Sequence, residues 1–229
     1  MQSSKHNLQI LFEDNHLIII NKRASDIVQG DKTGDKPLND IVKEYIKDKY
    51  NKPNNVYLGV VHRLDRPTSG AIIFAKTSKA LERLNKMLRE KEIKKTYWAV
   101  VKNRPKKSED TLINWLKKNP KNNKSTVFNR ENTAYKKAIL HYKIIKELDT
   151  YFLLEIDLET GRHHQIRCQL AYMRSPIKGD LKYGFNRSNK NASIHLHARK
   201  IEFTHPVNKE KITVIAPLPN DVIWKACEL

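Results

Sequence analysis

The sequence predicts an α+β protein built on a mixed, largely antiparallel sheet with flanking helices. Three observations predict it. The 229-residue chain carries many short apolar runs of strand length, among them "LIIIN", "YLGVV", "AIIFA", "YWAVV" and "YFLLEIDL". Few amphipathic segments of helical spacing separate them, without the steady alternation that builds a parallel sheet. No internal repeat and no long linker interrupts the series, so one domain spanning residues 1–229 is expected.

The elements follow in order. "LQILFEDNHLIIINKR" reads as two strands, Leu8–Phe12 and Leu17–Asn21, around an Asp-Asn turn. "PLNDIVKEYIKDKY" places Leu38, Ile41, Val42, Tyr45 and Ile46 at helical spacing behind Pro37. "YLGVVHR" and "AIIFAKT" are strands. "SKALERLNKMLREKEI" is an amphipathic helix with Leu81, Leu84, Met87 and Leu88 on one face and Ser78 as the expected N-cap. "KKTYWAVVK" is again a strand. Residues 103–124 are polar, lysine-rich and broken by proline, so they read as an excursion around the short "TLINWL". "AILHYKIIKEL" and "TYFLLEIDLET" form a hairpin about Leu148-Asp149, the second strand with one fully apolar face. "GRHHQIRCQLAYM" is a turn and a helix, "SIHLHARKIEF" and "KITVIAP" are late strands, and "PNDVIWKAC" is a short final helix.

Charge narrows the function. Lysine and arginine number 44 against 25 acids, a net charge of +19. Such an excess speaks to polyanionic partners, not to fold. No apolar run approaches the ~18 residues of a spanning helix, and "MQSSKHNLQ" lacks the apolar core of a secretory signal. A soluble cytoplasmic protein that binds a polyanion, with no membrane-spanning segment, is expected. The two cysteines, Cys168 and Cys227, form neither a CxxC nor a disulfide framework.

Several chemistries find little support. His195 and His197 would share a strand face, but no cysteine cluster, HExxH or acidic pattern accompanies them, so no metal is expected. GxGxxG and GxxxxGK[ST] are absent, so no nucleotide cofactor is expected. The lysine-rich stretch 117–124 is either a solvated loop or an arm on phosphate. One stretch stands apart. "VVHRLDRPTSG" sets Asp65 between Arg63 and Arg66, just before a strand. Alone it reads first as a charged turn whose acid is tied down by its neighbours. "TGRHHQIRCQL", with Arg162 and Arg167 around Gln165, and "KKTYWAVV", with Tyr97, add an arginine and an aromatic platform for a base. A protein that only binds RNA gains nothing from a carboxylate facing phosphates; a nuclease would need clustered acids.

In these motifs the chain resembles the RNA pseudouridine synthases of the RluA type, over nearly its whole length. "EDNHLIIINKRAS", "HRLDRPTSG", "KKTYWAVV", "GRHHQIRCQL…SPIKGDLKYG" and "HLHARKIEFTHPV" match in order. It departs at Arg23 and Ser25, where the family reads Asn-Lys-Pro-Ala-Gly from Asn21 on, and at His163, where threonine is usual. These positions bear on target choice rather than on the chemistry.

The resemblance implies a pseudouridine synthase fold with a central basic cleft and no separate N-terminal RNA-binding domain. It implies an isomerase that turns particular uridines of structured rRNA or tRNA into pseudouridine, as a monomer, with no cofactor. Asp65 becomes the nucleophile, since a carboxylate can attack carbon and later leave. Arg167 becomes its partner, fixing the carboxylate with a planar fork. Tyr97 stacks on the uracil and is a candidate to remove the C5 proton. The target must be flipped out of its helix. Arg63 contacts phosphate or fills the vacated space, and His62, Arg162, Gln165 and Lys22 are further candidates for RNA contact.

Overall fold

A computed structural model describes residues 2–31 and 33–228. In chain order its elements are β1 (Ile10–Glu13), β2 (Leu17–Lys22), α1 (Leu38–Lys49), β3 (Gly59–Val60), β4 (Ser69–Ala75), α2 (Ser78–Arg89), β5 (Lys94–Val101), β6 (Glu109–Asn119), β7 (Lys124–Phe128), β8 (Lys136–Glu147), β9 (Phe152–Leu158), α3 (Gln165–Tyr172), a 3-10 turn (Leu181–Tyr183), β10 (Leu196–Thr204), β11 (Lys211–Ile215) and α4 (Val222–Ala226). The chain divides into two compact units. Unit 1 is Met1–Lys95 with Ala198–Pro219; unit 2 is Thr96–His197 with Asn220–Leu229. No helix among the described residues is long and apolar enough to cross a membrane.

Unit 1 orders its strands β1-β2-β4-β10-β11, with β3 beside β4. The registers given for it are antiparallel, as Leu17↔Ala75 to Lys22↔Gly70 between β2 and β4. Every residue of β2 and β4 is buried, which is why each reads as a short continuous apolar run, Leu17–Ile20 and Ala71–Ala75, beside a few buried polar residues. Leu17, Ile19, Ala71 and Ile73 meet Ala80, Leu84 and Met87 of α2 and Ile201 and Phe203 of β10 in one core. α1 buries Leu38, Ile41, Val42 and Ile46. The N-cap of α2 is Thr77, not the expected Ser78: Thr77 is extended at φ −138 and its hydroxyl accepts from the Ala80 N–H at 3.1 Å. Ser78 is already helical, so its hydroxyl cannot take that place.

Unit 2 orders its strands β5-β9-β8-β6-β7, with antiparallel registers throughout. The expected excursion at 103–124 is largely sheet. β6 is 11 residues long and pairs with β8 from Glu109↔Lys143 to Leu116↔Lys136, then the chain turns at 120–123 into β7. Only Asn114 and Leu116 of β6 are buried. A strand with so little to bury keeps a polar composition, and its ladder with β8 outweighs weak propensity. β9 also buries more than one face, because Leu153 lies in the core beside Leu154 and Ile156.

Candidate active site

The Asp65 loop in unit 1 is mounted from below. Its turn closes through Thr68 N–H donating to the Asp65 carbonyl at 3.0 Å. At its exit Gly70 has φ +115, and a Cβ there would stand 2.4 Å from the Ala198 carbonyl oxygen of β10, so only glycine fits. Arg66 makes an ion pair with Asp35 and a 3.2 Å hydrogen bond to Thr33. Asp65 itself is partly exposed and Arg63 is exposed.

Lys22, expected at the RNA, lies inside instead. It is 1% exposed, and its ammonium donates to the carbonyls of Arg23 (2.9 Å), Asp26 (2.8 Å) and Arg66 (3.2 Å). One cation thereby pins the 23–26 turn to the loop that carries Asp65. Burial brings its pKa down to about 7, against the pull of Asp26 and Asp65 and with help from Arg66. An unfolded lysine holds its proton to about 10.5. Between those values the unfolded state binds more protons, so stability rises with pH, by up to about 1.4 kcal/mol per unit. Below about 7 both states are protonated and the slope vanishes. Denaturant unfolding of the parent and Lys22→Met at pH 7 and pH 9.5 checks this; the parent should gain on the variant as pH rises.

Ser25 joins the same bracket, its N–H donating to the Arg66 carbonyl at 2.9 Å. Its φ is +82, the left-handed region, and it stands where the family's pattern has glycine. Ser25→Gly should therefore stabilise the protein by about 1 kcal/mol, read as a raised urea midpoint at unchanged m-value. His62 keeps part of its ring open, yet Nδ1 is shielded from water and Nε2 accepts the Ile73 N–H at 3.1 Å. Burial, and then Lys95, hold it neutral with a pKa of about 3. It braces β4 from within.

Unit 2 supplies the rest. Tyr97 sits on β5 opposite Ile156 and is 6% exposed. Arg167 on α3 is 4% exposed, and its guanidinium makes a bidentate pair with Asp180, Nε to Oδ2 at 2.7 Å and the second nitrogen to Oδ1 at 2.9 Å. The Tyr183 ring lies 5.2 Å from that guanidinium. Its hydroxyl accepts the Ser125 N–H at 2.8 Å and lies 2.8 Å from His164 Nδ1. Burial above all pushes the Tyr183 phenol up to about 12. His163 stacks on His164 at 3.8 Å, and its Nδ1 lies 2.9 Å from the Ser125 hydroxyl.

Gln165 is also inward. Its oxygen accepts from the Thr160 hydroxyl (2.8 Å) and the Arg162 N–H (3.0 Å), and its nitrogen donates to the Ile139 carbonyl at 3.0 Å. It shapes the turn into α3, while Arg162 is exposed. Asp180 and Tyr183, within "GDLKYG", are candidate functional residues that sequence patterns alone do not mark; the one signal is that a buried helix arginine demands an acid. Among the described residues no group of three His, Cys, Asp or Glu is placed to hold a metal ion. His195 and His197 both pack against Trp224.

The family described as RNA pseudouridylate synthase matches residues 16–172, which hold the Asp65 loop, Tyr97 and Arg167. The chain belongs to this family. The family shown is thus the one its motifs resemble. Among relatives, the ribosomal large subunit pseudouridine synthase C of Buchnera aphidicola subsp. Baizongia pistaciae is 37% identical, over 96% of this chain and 69% of that protein. The tRNA pseudouridine synthase C of Salmonella typhimurium is 30% identical, over 95% and 87%. An uncharacterized RNA pseudouridine synthase of Synechocystis is 34% identical over 93% of this chain, which spans 66% of that relative. The solved human RNA pseudouridylate synthase domain containing 4 superposes with a TM-score of 0.77 at 23% identity, over 93% of this chain and 89% of that one. At that identity the likeness speaks for the fold, and it agrees with the expected α+β class.

Proposed function

We propose that this protein isomerises uridine to pseudouridine in structured ribosomal or transfer RNA, acting in the cytoplasm as a monomer whose two units form one catalytic domain. The observation that carries the reading is the mounting of Asp65. A family match runs through its loop, and Gly70 and the Lys22 ammonium hold that loop from two sides. A loop so fixed presents a carboxylate in one place, as a nucleophile requires.

Asp65 attacks carbon of the target nucleotide, the N–C glycosidic bond breaks, the base turns, the new C–C bond forms, and the bond to Asp65 breaks to return its carboxylate. The C5 proton then leaves, with Tyr97 under the uracil as the residue proposed to take it. Arg167 supplies positive charge and, being an arginine, never loses it; its fork to Asp180 fixes its direction. Arg63 and Arg162, both exposed, contact RNA phosphate. Lys22, His62 and Gln165 serve this machinery as positioning residues. No step is redox or hydrolytic, so the chemistry proposed needs no cofactor.

Relatives named for the ribosomal large subunit and for tRNA leave both RNA classes as substrates to compare. The test is tritium release from C5-labelled uridine in rRNA and tRNA, with pseudouridine mapping in cells with and without the protein. Release from either RNA class, and sites that vanish in the deletion, are expected. Absence of release from both would overturn the reading.

A further inference from the structure

Unit 2 carries a basic feature that the proposed chemistry does not use. An open cavity of about 890 Å³ is walled by Lys102, Tyr151, Lys178, Phe185, Arg187 and Lys190. Its size falls within the ~300–1,000 Å³ of small-molecule pockets. It lies away from Tyr97: Lys102 follows the end of β5, and at ~3.3 Å per residue the strand places the two roughly 17 Å apart.

The wall is braced. Asn189 accepts from the Lys178 ammonium at 2.7 Å and donates to the Ser193 carbonyl at 3.0 Å. Its amide nitrogen also lies 3.0 Å from His195 Nδ1 and, as the donor there, leaves the His195 proton on Nε2, which donates to Asp221 at 3.0 Å. Gly179, at φ +86, lets Asn189 in: a Cβ there would stand 2.7 Å from its amide nitrogen. Lys178 is locked from behind too, its N–H on the Val100 carbonyl at 2.9 Å and its carbonyl taking the His195 N–H at 2.9 Å.

Asp221 is the only acid among the described residues lining the cavity. It already accepts from His195 and from the N–H groups of Ile223 and Trp224 at the start of α4. Lys178, Arg187, Lys190 and Lys102 therefore outweigh it. Burial holds the Lys178 amine below its usual pKa, and an arriving anion would raise it again. Cations alone would suit any phosphate backbone. Tyr151 and Phe185 among them add ring faces for a base, the combination that grips single strands.

We propose that this cavity binds an unpaired nucleotide of the substrate RNA, outside the target uridine, with its base against Tyr151 and Phe185 and its phosphate on Lys178, Arg187 and Lys190. The inference rests on the protein being an RNA-modifying enzyme. A second anchor toward the far end of β5 from Tyr97 would select uridines that have an unpaired neighbour at the right reach.

The experiment uses the full chain and two variants, Tyr151→Ala/Phe185→Ala and Arg187→Ala/Lys190→Ala, with Arg187→Gln as an exposed-site control that should fold normally. The probe is a short single-stranded oligoribonucleotide carrying 4-thiouridine, cross-linked by light and mapped by mass spectrometry. Adducts on Tyr151 or Phe185 are expected. KM for substrate RNA should rise about tenfold in the aromatic variant with kcat unchanged. The salt slope of affinity should fall by about 1–2 in the cationic one and by a smaller step in Arg187→Gln. Adducts elsewhere only, with unchanged KM and slope, would overturn the proposal while pseudouridine formation by the parent kept the catalytic reading intact. Uptake of polyglutamate at these residues in place of the oligoribonucleotide would overturn it as well. Adducts at Tyr151 in a parent that releases no tritium would uphold RNA binding here and sink the catalytic reading.

Discussion

Asp65→Asn should abolish pseudouridine formation, with turnover falling by ~10⁴-fold or more, while RNA affinity stays near the parent's. The amide has nearly the shape of the carboxylate and cannot act as the nucleophile. The fold should hold, because the loop is carried by backbone contacts: Thr68 N–H on the Asp65 carbonyl, and Ser25 N–H and the Lys22 ammonium on the Arg66 carbonyl. One electrostatic cost remains. Asp65 helps Lys22 keep its proton inside unit 1, so the variant's buried amine becomes easier to deprotonate. Tritium release and a binding isotherm on the same preparation separate the outcomes. Turnover near the parental rate would return "VVHRLDRPTSG" to a charged turn.

Asp180→Ala should give the largest loss of stability among single changes in unit 2. It strips the bidentate carboxylate from a guanidinium that is 4% exposed. Breaking a buried pair from one side costs about 3–5 kcal/mol. For a chain of this length 3 kcal/mol corresponds to a drop of roughly 6–12 °C in Tm. Asp180→Asn keeps a hydrogen-bonding oxygen and should lose less. Because the fork sets the direction of Arg167, turnover of whatever remains folded should fall as well. Thermal melts followed by assays below the lowest Tm distinguish the two effects. A melt within a degree of the parent's would mean that Arg167 needs no carboxylate here.

What the sequence revealed follows from what it can encode locally. β2 and β4 announce themselves because all their residues are buried, and the Asp65 loop because its charges and glycine stand in one short stretch. Tyr97 and Arg167 were legible as residue types within motifs. Asp180 was not, since its partner stands 13 positions away and only the folded turn brings the two together. Lys22 misled in the opposite way. A lysine in a basic chain suggests phosphate, and nothing local shows three carbonyls waiting for it. Gln165 and His62 hide similarly among backbone groups. β6 escaped because a half-solvated strand has the composition of a loop, and its partner β8 comes later in the chain.

The contact between Gly70 and Ala198 has a consequence for synthesis. Both residues belong to unit 1, but nearly the whole of unit 2 is translated between them. The Asp65 turn thus leaves the ribosome long before β10 exists to seat it. β2 and β4, each with a central apolar run, wait through that interval before β10 pairs with the edge of β4, the condition in which nascent chains aggregate. Joining segments so distant is also slow, because loop closure precedes any gain from pairing. The rate-limiting event in maturation should be the arrival of β10 and β11. Pulse-labelled hydrogen exchange during refolding would show it as late protection of the β4 edge that pairs with β10, after the edge that pairs with β2.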